Sequence, residues 1–190
     1  MYRTVALYML RNGIDPQDEQ TVSARCGEAD VRVAYRDGAQ RTMLGGEDVS
    51  DLIRTGEVSA AASAISKWPA VRRRMVAAQR EIAATADMLI DGRDIGTRVL
   101  IDAPVKIFLT ATPEERARRR YRQQIEKGDM TPYEQVLAEL NARDAQDMNR
   151  ETDPLRQAED AVLVDSTNMT PEQVVDAIIA VVEDVYGKRA

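Results

Sequence analysis

Apolar side chains recur at helical spacing near the start of the chain. Val5, Leu7, Tyr8 and Leu10 predict a helix over 2–11 that stops at Asn12-Gly13. Asp15-Pro16 opens a second helical stretch, with proline in its first turn. The pattern then changes period. Val31, Val33 and Tyr35 alternate with polar residues, Asp37-Gly38 marks a tight turn, and a second short strand follows around Arg41–Leu44. Residues 31–49 therefore read as a small β insertion in an otherwise α/β chain. Residues 48–87 are mostly helical, with a new helix beginning at Trp68-Pro69.

Three short, continuous apolar runs follow, each ending in polar residues. Met88-Leu89-Ile90 runs into Asp91-Gly92-Arg93-Asp94, Val105–Leu109 into Thr110, and Ala161–Val164 into Asp165-Ser166-Thr167. Runs of this kind fit strands buried on both faces of a parallel sheet. The polar residues then lie at the carboxyl edge, where open α/β sheets bind ligands. Between the second and third runs lie two arginine-rich helices, Pro113–Lys127 and Pro132–Arg150, separated by Gly128-Asp129. An amphipathic helix over about 171–186 follows.

Composition narrows the chemistry. The chain has no histidine, which removes imidazole bases, His-based triads and His metal sites together. A single cysteine, Cys26, excludes an internal disulfide and fits a reducing cytoplasm; it reads as a small, partly buried residue. The formal net charge of −6 argues against a general nucleic-acid binder. The apolar stretch Val174–Val185 is too short, and too interrupted by Asp176, Glu183 and Asp184, to span a membrane. Arginine greatly outnumbers lysine, which occurs only at Lys67, Lys106, Lys127 and Lys188. The planar guanidinium suits bidentate recognition of phosphate and carboxylate, so local sites for small anions are expected.

Three constellations carry that expectation. Arg143, Asp147 and Arg150, four and three residues apart, share a helix face. They could grip a phosphate and accept from sugar hydroxyls, or form a ladder of surface ion pairs. Asp91-Gly92-Arg93-Asp94 at a strand mouth could bind a base or a hydrated metal with the acid and a phosphate with the arginine, or simply turn the chain. Glu114–Arg120 places acids in the first helical turn and bases after it. The helix dipole alone favours that order; a lid that brings arginines onto a transferring phosphoryl group would use it too.

In order and spacing these segments resemble the bacterial cytidylate kinases, which phosphorylate CMP and dCMP with ATP and Mg²⁺. The resemblance covers essentially the whole chain. It runs through Tyr2-Arg3, Gly45–Ser50 with Ile53-Arg54-Thr55, and Val71-Arg72 with Gln79-Arg80. It continues through Asp91–Thr97, Asp102–Leu109 and Glu114–Ala117 with Arg119-Arg120, then Arg143-Asp144, Asp147, Arg150 and Asp165-Ser166-Thr167. It implies a P-loop kinase-like α/β fold, a parallel sheet with helices on both faces. It also implies one domain over 1–190, with a nucleotide-binding lobe over 14–87, its β insertion around 31–49, and a lid over 111–132.

The resemblance further implies roles. Ser63, Arg72 and Asp94 would read the cytosine edge, Arg3, Arg93 and Arg143 would hold the CMP phosphate, and Asp147 the sugar hydroxyls. Arg150 would lie at the same pocket, and Arg119 and Arg120 would belong to the lid. Arg93, Arg119, Arg120 and Arg150 are the expected catalytic cations; no protein metal site is expected, and the family default is a monomer. Gln146 and Met148 stand where some members have arginine, a departure within the phosphate-binding helix.

A P-loop, Gly-x-x-x-x-Gly-Lys-Ser/Thr, cradles nucleotide phosphates with bare amides and a lysine. No lysine here is followed by serine or threonine. In the family that loop precedes the segment where Met1-Tyr2-Arg3 falls, together with a central strand. The expectation is that residues 1–190 by themselves lack the donor site and the central strand, fold poorly and do not catalyse.

Overall fold

The structure, a computed structural model, describes residues 1–187. It divides into two units, Met1–Met88 and the chain from Leu89 onward.

In the first unit, helix α1 (Tyr2–Arg11) ends at Asn12, and Gly13 turns the chain with φ of 65°. Helix α2 (Glu19–Arg25) starts where the Asp18 side chain accepts from the Thr21 amide. Strands β1 (Val31–Arg36) and β2 (Ala39–Leu44) pair antiparallel, Val31 opposite Leu44 and Arg36 opposite Ala39. The turn between them holds Asp37 at φ 52° and Gly38 at φ 73°, the two left-handed residues that match a hairpin's twist. A short β3 (Glu47–Asp48) adds to β2. Helix α3 (Gly56–Ile65) is capped by the Thr55 side chain, and α4 (Pro69–Ala83) begins on Pro69.

The core of this unit is where the helical periodicity converges. Val5, Met9, Val22, Val49, Ile65 and Val71 are fully buried, with Met75 beside them. Burial of each such side chain contributes about 1.5–3 kcal/mol. The Trp68 indole donates to the Pro16 carbonyl at 3.0 Å, which ties the start of α4 to the turn before α2. Cys26 is buried, and desolvation pushes its thiol up from the ordinary value.

The second unit is built on a parallel pair. Strands β4 (Ile107–Thr110) and β5 (Val162–Asp165) run side by side, Ile107 opposite Val162 and Thr110 opposite Asp165. Between them the chain forms α5 (Pro113–Glu126), capped by Thr112, and α6 (Tyr133–Asn149). These helices pack through an edge-on contact of Tyr121 with Tyr133, ring centres 6.0 Å apart, and an Arg116–Asp144 pair at 2.6 Å. Helix α7 (Pro171–Tyr186) opens with a capping box in which Thr170 and Gln173 exchange hydrogen bonds. No described helix is long and apolar enough to cross a membrane.

The α/β class, the parallel pairing, the hairpin and the helices match the sequence expectation. One element differs. Met88-Leu89-Ile90 is not a strand, and Leu89 is 82% exposed. An apolar run becomes a strand only when a neighbour completes its ladder, and β4 and β5 pair with each other alone among the described residues. The chain next forms a five-residue π-helix, Ile95–Val99, directly after Asp94. Such wide turns are rare and cluster at functional sites.

Candidate nucleotide phosphate site

Within the second unit the carboxylate of Asp147, 5% exposed on α6, is the centre of a cationic cluster. Arg93 Nε donates to its Oδ2 at 3.1 Å, and Arg143 Nε lies 4.0 Å from the same oxygen. Arg150 places one guanidinium nitrogen 3.5 Å from Asp147 Oδ1 and another 3.9 Å from Asp94 Oδ1. The side chains of Arg150, Asp147 and Asp94 are all nine-tenths or more buried. Arg93 is 46% exposed and Arg143 38%, so their guanidiniums also face solvent.

Burial bears on the two readings of the Arg143–Asp147–Arg150 triplet. A solvated ladder leaves its charges in water, where each pair contributes little. Here Arg150 and Asp147 are withdrawn from water, and each is tolerated only because the other neutralises it. Three guanidiniums (Arg93, Arg143, Arg150) lie about two carboxylates (Asp94, Asp147). An anion with several oxygen acceptors suits such a cluster.

The helix geometry explains the placement. Arg143 and Asp147 lie one turn apart on α6, and Arg150 is its C-cap, with the extended backbone of φ −64° and ψ 142°. Asp94 enters from the residue before the π-helix, whose Arg98 and Val99 amides both donate to the Asp94 carbonyl. The carboxylate of Asp94 is buried, whereas Asp91 is exposed.

The arginines of α5 divide. Arg119 donates from Nε to Glu115 at 3.0 Å, from Nη1 to Ser166 Oγ at 3.1 Å, and from Nη2 to the Ser166 carbonyl. Ser166, 3% exposed, donates its own hydroxyl to the Thr110 carbonyl at 2.9 Å. Arg119 thus ties α5 to the carboxyl ends of β4 and β5. Arg120 is exposed on the same helix. A surface hollow of about 440 Å³ opens beside this edge, lined by Asp165, Thr167, Asn168, Met169 and Gln173.

In the first unit, Arg72 is 2% exposed on α4 and donates to the Ser66 carbonyl at 3.2 Å. Arg3 on α1 donates to the Ile53 carbonyl at 3.0 Å, and Ser63 is half-buried on α3. The structure therefore brings Arg93, Asp94, Arg143, Asp147 and Arg150 together in one unit, and Arg3, Ser63 and Arg72 lie in the other.

Two participants escaped the sequence reading: Ser166 as the anchor of Arg119, and Asp153, whose carbonyl accepts from Arg150 Nε at 2.6 Å. The only sequence signal for the second is Asp153-Pro154, a turn dipeptide three residues past Arg150.

Comparison with known proteins decides the family. The family model described as cytidylate kinase matches residues 1–184. The chain belongs to the cytidylate kinase family. It is 51% identical over 177 residues to a protein named cytidylate kinase from Mycobacterium avium, covering 93% of this chain and 78% of the relative. A cytidylate kinase of Caldicellulosiruptor bescii is 46% identical over 179 residues, 94% of this chain and 79% of the relative. One from Syntrophotalea carbinolica is 44% identical over 184 residues, 97% and 78% respectively. Family membership makes the chain a phosphotransferase by kinship, and the buried arginine–aspartate cluster lies inside the matched segment.

Proposed function

We propose that this chain acts as a cytidylate kinase, accepting CMP or dCMP and carrying the γ-phosphoryl group of ATP onto its phosphate to give CDP or dCDP. One observation carries the reading beyond kinship: the three guanidiniums gathered around the buried Asp147. Arg93 and Arg143, partly open to solvent, hold the CMP phosphate, and the Asp147 carboxylate accepts from the sugar hydroxyls. Asp94 reads the base edge, and Arg150 shares its charge between the two carboxylates and the incoming phosphate.

The chemistry asks little of general bases. A phosphate oxygen of CMP attacks the γ-phosphorus as the bond to the β-bridging oxygen breaks, and ADP leaves with that electron pair. Positioning and charge neutralisation supply most of the acceleration, which a chain without histidine can provide. Mg²⁺ would supply charge neutralisation across the ATP phosphates. Among the described residues no cluster of carboxylates or thiols stands ready to hold an ion alone. Arg120, exposed on α5, is the lid cation with most freedom to reach a phosphoryl group, whereas Arg119 braces the helix.

A second reading is a protein that binds CMP without transferring phosphate. One experiment separates the two. CMP binding is measured by calorimetry and CMP-dependent ADP formation by a coupled assay on the same preparation. Turnover supports the kinase reading, binding without turnover the second. Failure to bind either CMP or dCMP would sink both.

A further inference from the structure

Asp153 is the one non-glycine residue of the described second unit with a left-handed backbone, at φ 48°. It also precedes Pro154, and a following proline narrows the backbone further. Strain of this sort persists only where surrounding contacts over-determine it. Two contacts do so. The Asp153 carbonyl accepts from Arg150 Nε at 2.6 Å, and the Leu155 amide donates back to the Asp147 carbonyl at 2.8 Å. The Asp153 carboxylate, 20% exposed, faces Arg98 Nε of the π-helix at 3.5 Å.

The consequence falls on Arg150. Its Nε points back into the 150–153 turn, so its two terminal nitrogens are left to span Asp147 Oδ1 and Asp94 Oδ1. A guanidinium is planar, so fixing Nε–H in one direction fixes the plane in which the terminal nitrogens present their protons. The turn also returns a backbone hydrogen bond to α6 at the residue that carries the other half of the cluster, Asp147.

We propose that Asp153 is a positioning residue: its strained backbone carbonyl aims the Arg150 guanidinium across Asp94 and Asp147. The inference rests on the reading of Arg150 as a substrate contact, but its geometry can be tested without substrate.

The test follows the Arg150 Nε–H proton by ¹⁵N–¹H spectroscopy, assigned by its disappearance in Arg150→Lys. In the wild-type chain this proton is expected to exchange slowly with solvent. Asp153→Gly keeps the carbonyl and relieves the left-handed strain, so it retains the protection. Asp153→Val, a β-branched residue disfavoured at positive φ, loses it. A rapidly exchanging Arg150 Nε–H in the wild-type and glycine chains overturns the proposal even if the valine variant does not fold.

CMP affinity gives the second readout. Asp153→Val is expected to weaken CMP about tenfold, with Asp153→Gly restoring it, and the effect should vanish in an Arg150→Ala background. A loss that persists undiminished without Arg150 means that Asp153 acts on the fold and not through the guanidinium, and the proposal fails. Slow exchange that follows the expected pattern in a wild-type chain blind to CMP would leave the positioning intact and refute the proposed function instead.

Discussion

Arg119 and Ser166 are joined twice, side chain to side chain at 3.1 Å and side chain to backbone carbonyl. The pair spans the end of β5 and the second turn of α5, and Ser166 relays it to the Thr110 carbonyl of β4. An arginine that the sequence offers as a phosphate ligand is thus occupied with holding a helix.

Replacing Arg119 by alanine removes charge-assisted hydrogen bonds and leaves buried acceptors on Ser166. The expected cost is about 2 kcal/mol in unfolding free energy. Arg120→Ala, at an exposed position on the same helix, should stay within about 0.5 kcal/mol. Chemical denaturation of both variants is the check, and equal losses would contradict the division of labour.

Asp147→Asn keeps the shape of the side chain and removes its charge. Arg150, whose side chain is 7% exposed, is then left with its nearest neutralising carboxylate missing. The expected loss is about 3 kcal/mol, the lower end for breaking a buried pair, because Arg93 can turn to water. A melt of Asp147→Asn superimposable on the wild type would show that the cluster is solvated.

Gly96 lies in the π-helix with the Lys106 side chain across it. A Cβ added there would approach Lys106 Cδ to 3.3 Å and Ala158 Cβ to 3.6 Å. Alanine gains roughly 1 kcal/mol of helix propensity over glycine, which offsets a tight contact that a lysine stem can relieve, so Gly96→Ala should be near neutral. Gly96→Val has no such room and should cost about 1–3 kcal/mol. Thermal unfolding of the two variants tests the contrast; a neutral valine would refute the close packing.

The Glu115 carboxyl is held below its ordinary value of 4.5, first by its hydrogen bond with Arg119 and then by Arg118. A carboxylate with a lowered native pKa stabilises the fold fully above 4.5 and loses that contribution as pH falls through the native value. Glu115→Gln should therefore be less stable than the wild type at neutral pH, with the difference closing in acid as the carboxyl protonates. Urea midpoints in neutral and in acid solution decide it. A constant difference would mean that Glu115 acts by packing alone.

Much of this was legible in the order of residues. The hairpin followed from alternation plus Asp37-Gly38, because a turn with two left-handed residues has few sequence solutions. Arg143, Asp147 and Arg150 declared themselves by spacing, since a helix converts four and three into one face. Burial of Asp147 and Arg150 was not legible, because spacing says which residues share a face and not what covers it. Met88-Leu89-Ile90 misled for a related reason: its composition suits a strand, but a ladder depends on a neighbour that local sequence does not specify. The left-handed Asp153 and the π-turn after Asp94 are set by tertiary contacts, which no short window of sequence encodes.

Leu89 at 82% exposed, Leu109 at 52% and Leu163 at 55% form a different kind of signal. Extended apolar stretches are what cellular quality control reads as unfinished folding. Wherever such stretches lie uncovered, chaperones and proteases compete for them. Abundance in a cell then follows the rate of capture more than the free energy of unfolding, and half-life becomes a property of what is left uncovered.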